Sequence, residues 1–195
     1  MARPAVRELA LATAFAMALA GCMRSDPARL YVLTAAVPRA TTQGAQGPSV
    51  AVARVSVPAY LDRSPLTTRR GASELTLAEF DRWGEPLDEG IARTLADNLS
   101  GLLPSERVTY GPAAQAARAD FAVAVFVLGF ECVDDREVVL SARWSVTRAG
   151  GEGEVADRLS VVHVPLDGRT AAAAVAAHSR ALADLSREIA AAIAP

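Results

Sequence analysis

Chemistry in this chain would have to come from few residues. The 195-residue sequence holds two histidines, His163 and His178, and two cysteines, Cys22 and Cys132. A carboxylate run, Glu131, Asp134, Asp135 and Glu137, is the densest acidic group. The histidines fall in a predicted strand and a predicted helix, with no cysteine or carboxylate at a recognised ligand spacing, so each reads as a core or partly exposed side chain. The acidic run lacks the glycine-bearing pattern of a calcium loop and reads as a solvated hairpin turn. Gly150, Gly151 and Gly153 lack the strand-to-helix setting of a dinucleotide loop. No G-x-S-x-G elbow, phosphate-binding P-loop or H-E-x-x-H occurs. The expectation is a protein without catalytic residues, metal or cofactor.

Cys22 is different, because its neighbours suggest a covalent fate. Arg3 and Arg7 precede an apolar stretch from Leu9 to Ala20, shorter than the roughly 20 residues that cross a bilayer as a helix. That is the layout of a signal peptide. It closes on Leu19-Ala20-Gly21-Cys22, which resembles the lipobox of bacterial lipoproteins, where cleavage precedes an acylated cysteine. The alternative is an ordinary secreted protein with a chance cysteine. Two or three acyl chains make anchoring effectively permanent, whereas one gives only reversible binding. Residues 1–21 are therefore expected to be a signal peptide and 22–29 a lipidated tether, spanning at most about 25 Å. Met23 stands where an inner-membrane retention signal would place aspartate, which favours the outer membrane. Cys132 is left without a partner and reads as a core thiol.

Residues 30–195 then form one domain. With 51% hydrophobic residues and a net charge of −2, the chain is globular and lacks the basic stripe that nucleic-acid binding needs. Every basic residue apart from histidine is arginine. Period-two patterns predict strands at 30–34, 50–57, 107–110, 120–133, 137–148 and 155–166, with a hairpin of 66–69 and 74–77 turned near Arg70-Gly71. Helical spacing of Leu87, Ile91, Leu95, Leu99 and Leu102 predicts a helix from Pro86 to Pro104. A second runs from Thr170 to Ala194, with Arg180 and Asp184 placed to pair across one turn. The fold class read from these elements is α+β: a mostly antiparallel sheet of about six or seven strands, with two main helices packed on one face.

Between Tyr60 and Leu87 the sequence concentrates aromatic, basic and acidic side chains. Three readings stay open from the residues alone. The segment is a hairpin laced with solvated ion pairs, each worth at most about 1 kcal/mol; or Tyr60 and Trp83 cap the edge of the core; or Tyr60, Leu61, Asp62, Arg63, Arg82 and Trp83 form a binding face, since tryptophan, tyrosine and arginine most often carry interface energy.

The wording of that segment, "PAYLDRS" at 58–64, "FDRWGEPL" at 80–87 and "ADNLSGLLP" at 96–104, resembles the ABC-type transport auxiliary lipoprotein family, the PqiC-like proteins. It departs with Gly84 where alanine is usual and with Ser64-Pro65 where the family often has Pro-Gln. The resemblance implies a non-enzymatic auxiliary subunit in lipid traffic across a Gram-negative envelope. It implies as partners an ABC transporter and an MCE-domain protein whose assembly forms a periplasmic tunnel. The lipoprotein would meet the tunnel from the periplasmic leaflet of the outer membrane. A lipid-binding shuttle is the alternative, and self-association is left open.

Overall fold

The computed structural model describes residues 27–38, 47–103, 105–111, 118–148 and 153–194. The lipobox with Cys22, most of the tether, Pro104 and Gly150-Gly151 lie outside the described residues. The strands are β1 (Arg29–Tyr31), β2 (Val50–Ser56), β3 (Pro65–Arg70), β4 (Glu74–Trp83), β5 (Val108–Tyr110), β6 (Phe121–Val133), β7 (Glu137–Arg148) and β8 (Glu154–Pro165). The helices are α1 (Leu87–Leu102), between β4 and β5, and α2 (Ala171–Ile193), after β8.

The helices form where the apolar spacing predicts them, and their ends have local causes. Pro86 is the N-cap of α1 rather than part of its first turn, and no side chain caps that end. Thr170 caps α2, its hydroxyl accepting from the Ala173 amide at 3.1 Å. The expected Arg180–Asp184 pair does not form. Arg180 instead reaches Asp167 in the β8–α2 loop and the Pro165 carbonyl at the end of β8, and Asp184 pairs with Arg187.

The eight strands among the described residues belong to one sheet, and it is mixed, which corrects the expectation of a mostly antiparallel sheet of six or seven strands. Three pairings are antiparallel, β3–β4, β6–β7 and β7–β8, each between strands adjacent in sequence. Four are parallel: β1–β4, β2–β5, β2–β6 and β3–β6. The cause lies at β6, which is long enough to seat two strands on one edge. β2 pairs with its first half and β3 with Cys132 and Val133 at its end, both running in its direction. The chain does not turn back between β2 and β3; it loops out through residues 57–64 and rejoins further along the same edge.

Alternation along β6 puts Phe121, Val123, Val125 and Val127 inward. A bulge between Val127 and Gly129 then shifts the phase, so that Phe130 and Cys132 face the core. α1 lies against β2 and β5, α2 against β6, β7 and β8, and the helices touch each other. Their apolar sides and the inward rows of the sheet, with Trp144 at the centre, make one continuous core. The far face of the sheet leaves Phe126, Leu128, Leu159 and Val161 exposed.

Candidate docking groove

The groove is built from the two stretches singled out by composition. The loop 57–64 is held by its own backbone: the Pro58 carbonyl accepts from the Leu61 and Asp62 amides at 2.9 and 3.2 Å, and Arg63 donates to the Leu61 carbonyl at 2.8 Å. Leu61 turns into the core, 3% exposed, and pins the loop, while Asp62 and Arg63 project to solvent. The end of β4 closes against it, the Trp83 amide donating to the Ser64 carbonyl at 2.6 Å. Together they shape an open cleft of about 360 Å³ lined by residues 62–64 and 83–87.

Trp83 is a floor more than a handle. Only 8% of it is exposed, and its ring meets His178 of α2 edge-on at 5.5 Å. His178 packs in turn on Phe130 at 4.6 Å. Burial holds the imidazole neutral, pushing its pKa down to about 4 even though the Ala174 and Phe130 carbonyls and Glu131 pull the other way. Gly84 follows where β1 passes closest: its amide donates to the Tyr31 carbonyl at 2.7 Å, and a Cβ there would sit 3.3 Å from Val32. Glu85 then binds Arg93 of α1 at 2.5 Å, and Arg93 donates onward to the Leu33 carbonyl at 2.8 Å. That carboxylate raises the Arg93 pKa above its ordinary value, so the guanidinium stays charged.

The structure thus brings Asp62, Arg63 and Trp83 to one cleft and places Leu61 beneath it. It sends the other two candidates elsewhere. Arg82 lies exposed on β4 beside Leu30 and outside the cleft lining. Tyr60 points back to the gap between β2 and β3 on the β6 edge. There its hydroxyl donates to Glu131 at 3.1 Å, and Arg69 donates to the same carboxylate through Nε at 2.7 Å. Burial and the Glu131 charge raise the Tyr60 pKa, so its proton is retained. Glu131 is 3% exposed, which overturns its assignment to a solvated turn. The bulge at Gly129 had moved it to the outer face, where Tyr60 and Arg69 cover it.

The rest of the acidic run does form the turn. Asp134 and Asp135 adopt φ of 50° and 53°, and Arg136 donates back to Val133 at 3.0 Å, the geometry of a type I′ hairpin. Glu137 begins β7 and bonds His163 at 3.1 Å. Cys132 is a buried thiol whose pKa burial pushes up. Among the described residues, no three His, Cys, Asp or Glu side chains converge as a metal site would require. What the cleft offers is an acid and a guanidinium flanking an indole edge and the Pro86-Leu87 step.

Sequence reasoning also passed over Asn98. Its Oδ1 accepts from the backbone amides of Ala36 and Val37 at 3.0 and 3.1 Å, strapping the chain after β1 across α1. One turn on, Gly101 lets the strap through: a Cβ there would stand 2.6 Å from the Pro38 carbonyl oxygen. The "NLSG" wording at 98–101 carries that signal.

Fold and site define an α+β module whose exposed cleft lies between a strand end and a helix start. Residues 31–190 match the family described as the ABC-type transport auxiliary lipoprotein component, and the chain belongs to it. Among characterised relatives it is 30% identical over 142 residues to the intermembrane transport lipoprotein PqiC of Escherichia coli strain K12, covering 72% of this chain and 74% of that one. The PqiC of Shigella flexneri matches to the same extent. The fold recurs in the crystal structure of an uncharacterised protein, with TM-score 0.68, 23% identity and coverage of 85% of this chain and 98% of that one. It recurs again in a Xanthomonas campestris protein, with TM-score 0.65, 18% identity and coverage of 83% and 92%.

Proposed function

We propose that this protein is the lipid-anchored, non-enzymatic docking subunit of an ABC/MCE-type transport system, held to the envelope through Cys22 and facing the periplasm from the outer membrane. The family assignment over 31–190, together with PqiC relatives named as intermembrane transport lipoproteins, carries this reading. No helix among the described residues is long and apolar enough to cross a membrane; in this reading the acyl chains on Cys22 make the attachment. The partner is the MCE-domain protein, and the contact is the 62–64/83–87 cleft. Asp62 and Arg63 make the charged contacts, and Leu61 and Trp83 hold the cleft's shape from below.

The test is capture of the MCE-domain protein from the same organism by the purified full chain in detergent. The double variant Asp62→Arg/Arg63→Glu should cut capture at least roughly tenfold while leaving the thermal melt unchanged, because both side chains are exposed. Undiminished capture by that variant moves the contact away from the cleft. No capture by the wild-type chain removes the docking role.

A further inference from the structure

The β3–β4 hairpin is left to one side of the helices: α1 packs mainly on β2 and β5, and α2 on β6, β7 and β8. Between that hairpin and the start of α2 lies a half-enclosed cavity of about 160 Å³. Its inner end is largely apolar. Leu66, Cys132 and His178, each no more than 8% exposed, line it together with Ala78, Leu166 and Ala174. Burial keeps the Cys132 thiol protonated and the His178 ring neutral, so neither brings a charge to the cavity floor. A dry cavity of about 150 Å³ takes one benzene, which puts the capacity here at roughly six carbons.

The outer end is charged, and its charges do not cancel. Asp81 is held by Arg29 at 2.7 Å and Asp135 by Arg70 at 2.9 Å, which neutralises both carboxylates of the lining. Asp167, the nearest acid in the loop before α2, is taken by Arg180. Arg169 stands exposed at the mouth and makes no ion pair or hydrogen bond among the described residues. Next to it α2 begins with no acidic side chain in its first turn, whereas α1 has Asp88 and Glu89 there. One uncompensated positive charge therefore stands over an apolar pit. A carboxylate matches that single charge and the planar fork of a guanidinium, and an alkyl tail matches the pit.

We propose that this cavity binds a fatty carboxylate, its head paired with Arg169 and the first carbons of its tail packed against Leu66, Cys132 and His178. The cavity shares no lining residue with the docking cleft, so failure of either site leaves the other standing.

Calorimetric titration of the full chain in lipid nanodiscs, with protein-free nanodiscs as the blank, tests this with straight-chain carboxylates from butanoate to decanoate. Affinity should rise roughly fourfold per added methylene and level off once about six tail carbons are present. Partition into the bilayer has no such limit and would keep rising with chain length. Arg169→Glu should weaken heptanoate binding by roughly tenfold or more and leave heptanol binding unchanged, since the side chain lies at the exposed mouth. Heat from heptanoate no greater than the blank would overturn the site. So would an affinity that climbs steadily to decanoate, or an Arg169→Glu chain that binds heptanoate as the wild type does.

Discussion

At the residue scale, one buried acid does more than the sequence suggests. Glu131 sits on the outer face of β6 where neither β2 nor β3 pairs with that strand, and Tyr60 and Arg69 satisfy it. The triad ties the β2–β3 loop, β3 and β6 together, so it positions the loop that carries Asp62 and Arg63. Removing one member of a buried pair leaves the other charge uncompensated, at about 3 kcal/mol. Glu131→Ala and Arg69→Ala should each lose about that much in urea denaturation. The double variant should lose clearly less than the sum, since the second change removes the orphaned charge. Additive losses would show that the two side chains act independently. Nothing in the residue's own neighbourhood announces this role. "GFECVDD" looks like the approach to a turn, and only the bulge, a tertiary feature, decides which way Glu131 points.

At the element scale, the sequence was most legible where a single period governs a segment. β2, β6, β7, β8 and both helices fall within a residue or two of their expected bounds, because each has one buried face and a regular repeat. It was least legible in strand order. Parallel seating of β2 and β3 on one edge depends on the length of β6 and not on anything local to either. β4 was read short for a related reason: Leu75 and Leu77 are exposed, so its burial does not alternate, and it runs on to Trp83 by pairing with β1 and β3. The turns make sharper predictions. Asp135 holds a left-handed φ of 53° with its side chain in a half-exposed pair with Arg70. Asp135→Gly should therefore gain about 0.5 kcal/mol, relief of backbone strain outweighing a solvated ion pair. Asp134→Gly should lose about 1 kcal/mol, because Asp134 Oδ1 accepts from the Gly71 amide at 3.0 Å and joins the two hairpin turns. Gly101→Ala would normally favour a helix, yet should cost about 2 kcal/mol here, the new methyl colliding with the strap at Pro38. Paired thermal melts distinguish the three.

At the scale of the whole molecule, the contact of α2 with the sheet beneath the cleft makes stability depend on pH through one side chain. His178 is buried between Trp83 and Phe130, and its pKa falls from 6.5 to about 4 on folding. The folded chain excludes a proton that the unfolded chain binds below pH 6.5, so folding stability declines as pH falls from about 6.5 and levels off below about 4. Linkage puts the loss between pH 7 and pH 5 at about 2 kcal/mol. Asp81 acts lower on the scale. The hydrogen bond from Arg29 holds its pKa below the usual carboxylate range, so its contribution is present above about pH 4 and fades as pH falls further. The two groups therefore separate in pH. Urea midpoints for wild type should drop between pH 7 and pH 5, whereas His178→Met, which cannot take up a proton, should give a nearly flat profile over that window from a lower starting stability. An equal slope in both proteins would mean that other groups govern the acid limb. The same core contact then predicts the fate of the cleft: below pH 5, where the Trp83–His178 packing is the part under strain, capture by the cleft should weaken in the wild-type chain before the sheet unfolds, and the His178→Met chain should keep its pH 7 capture.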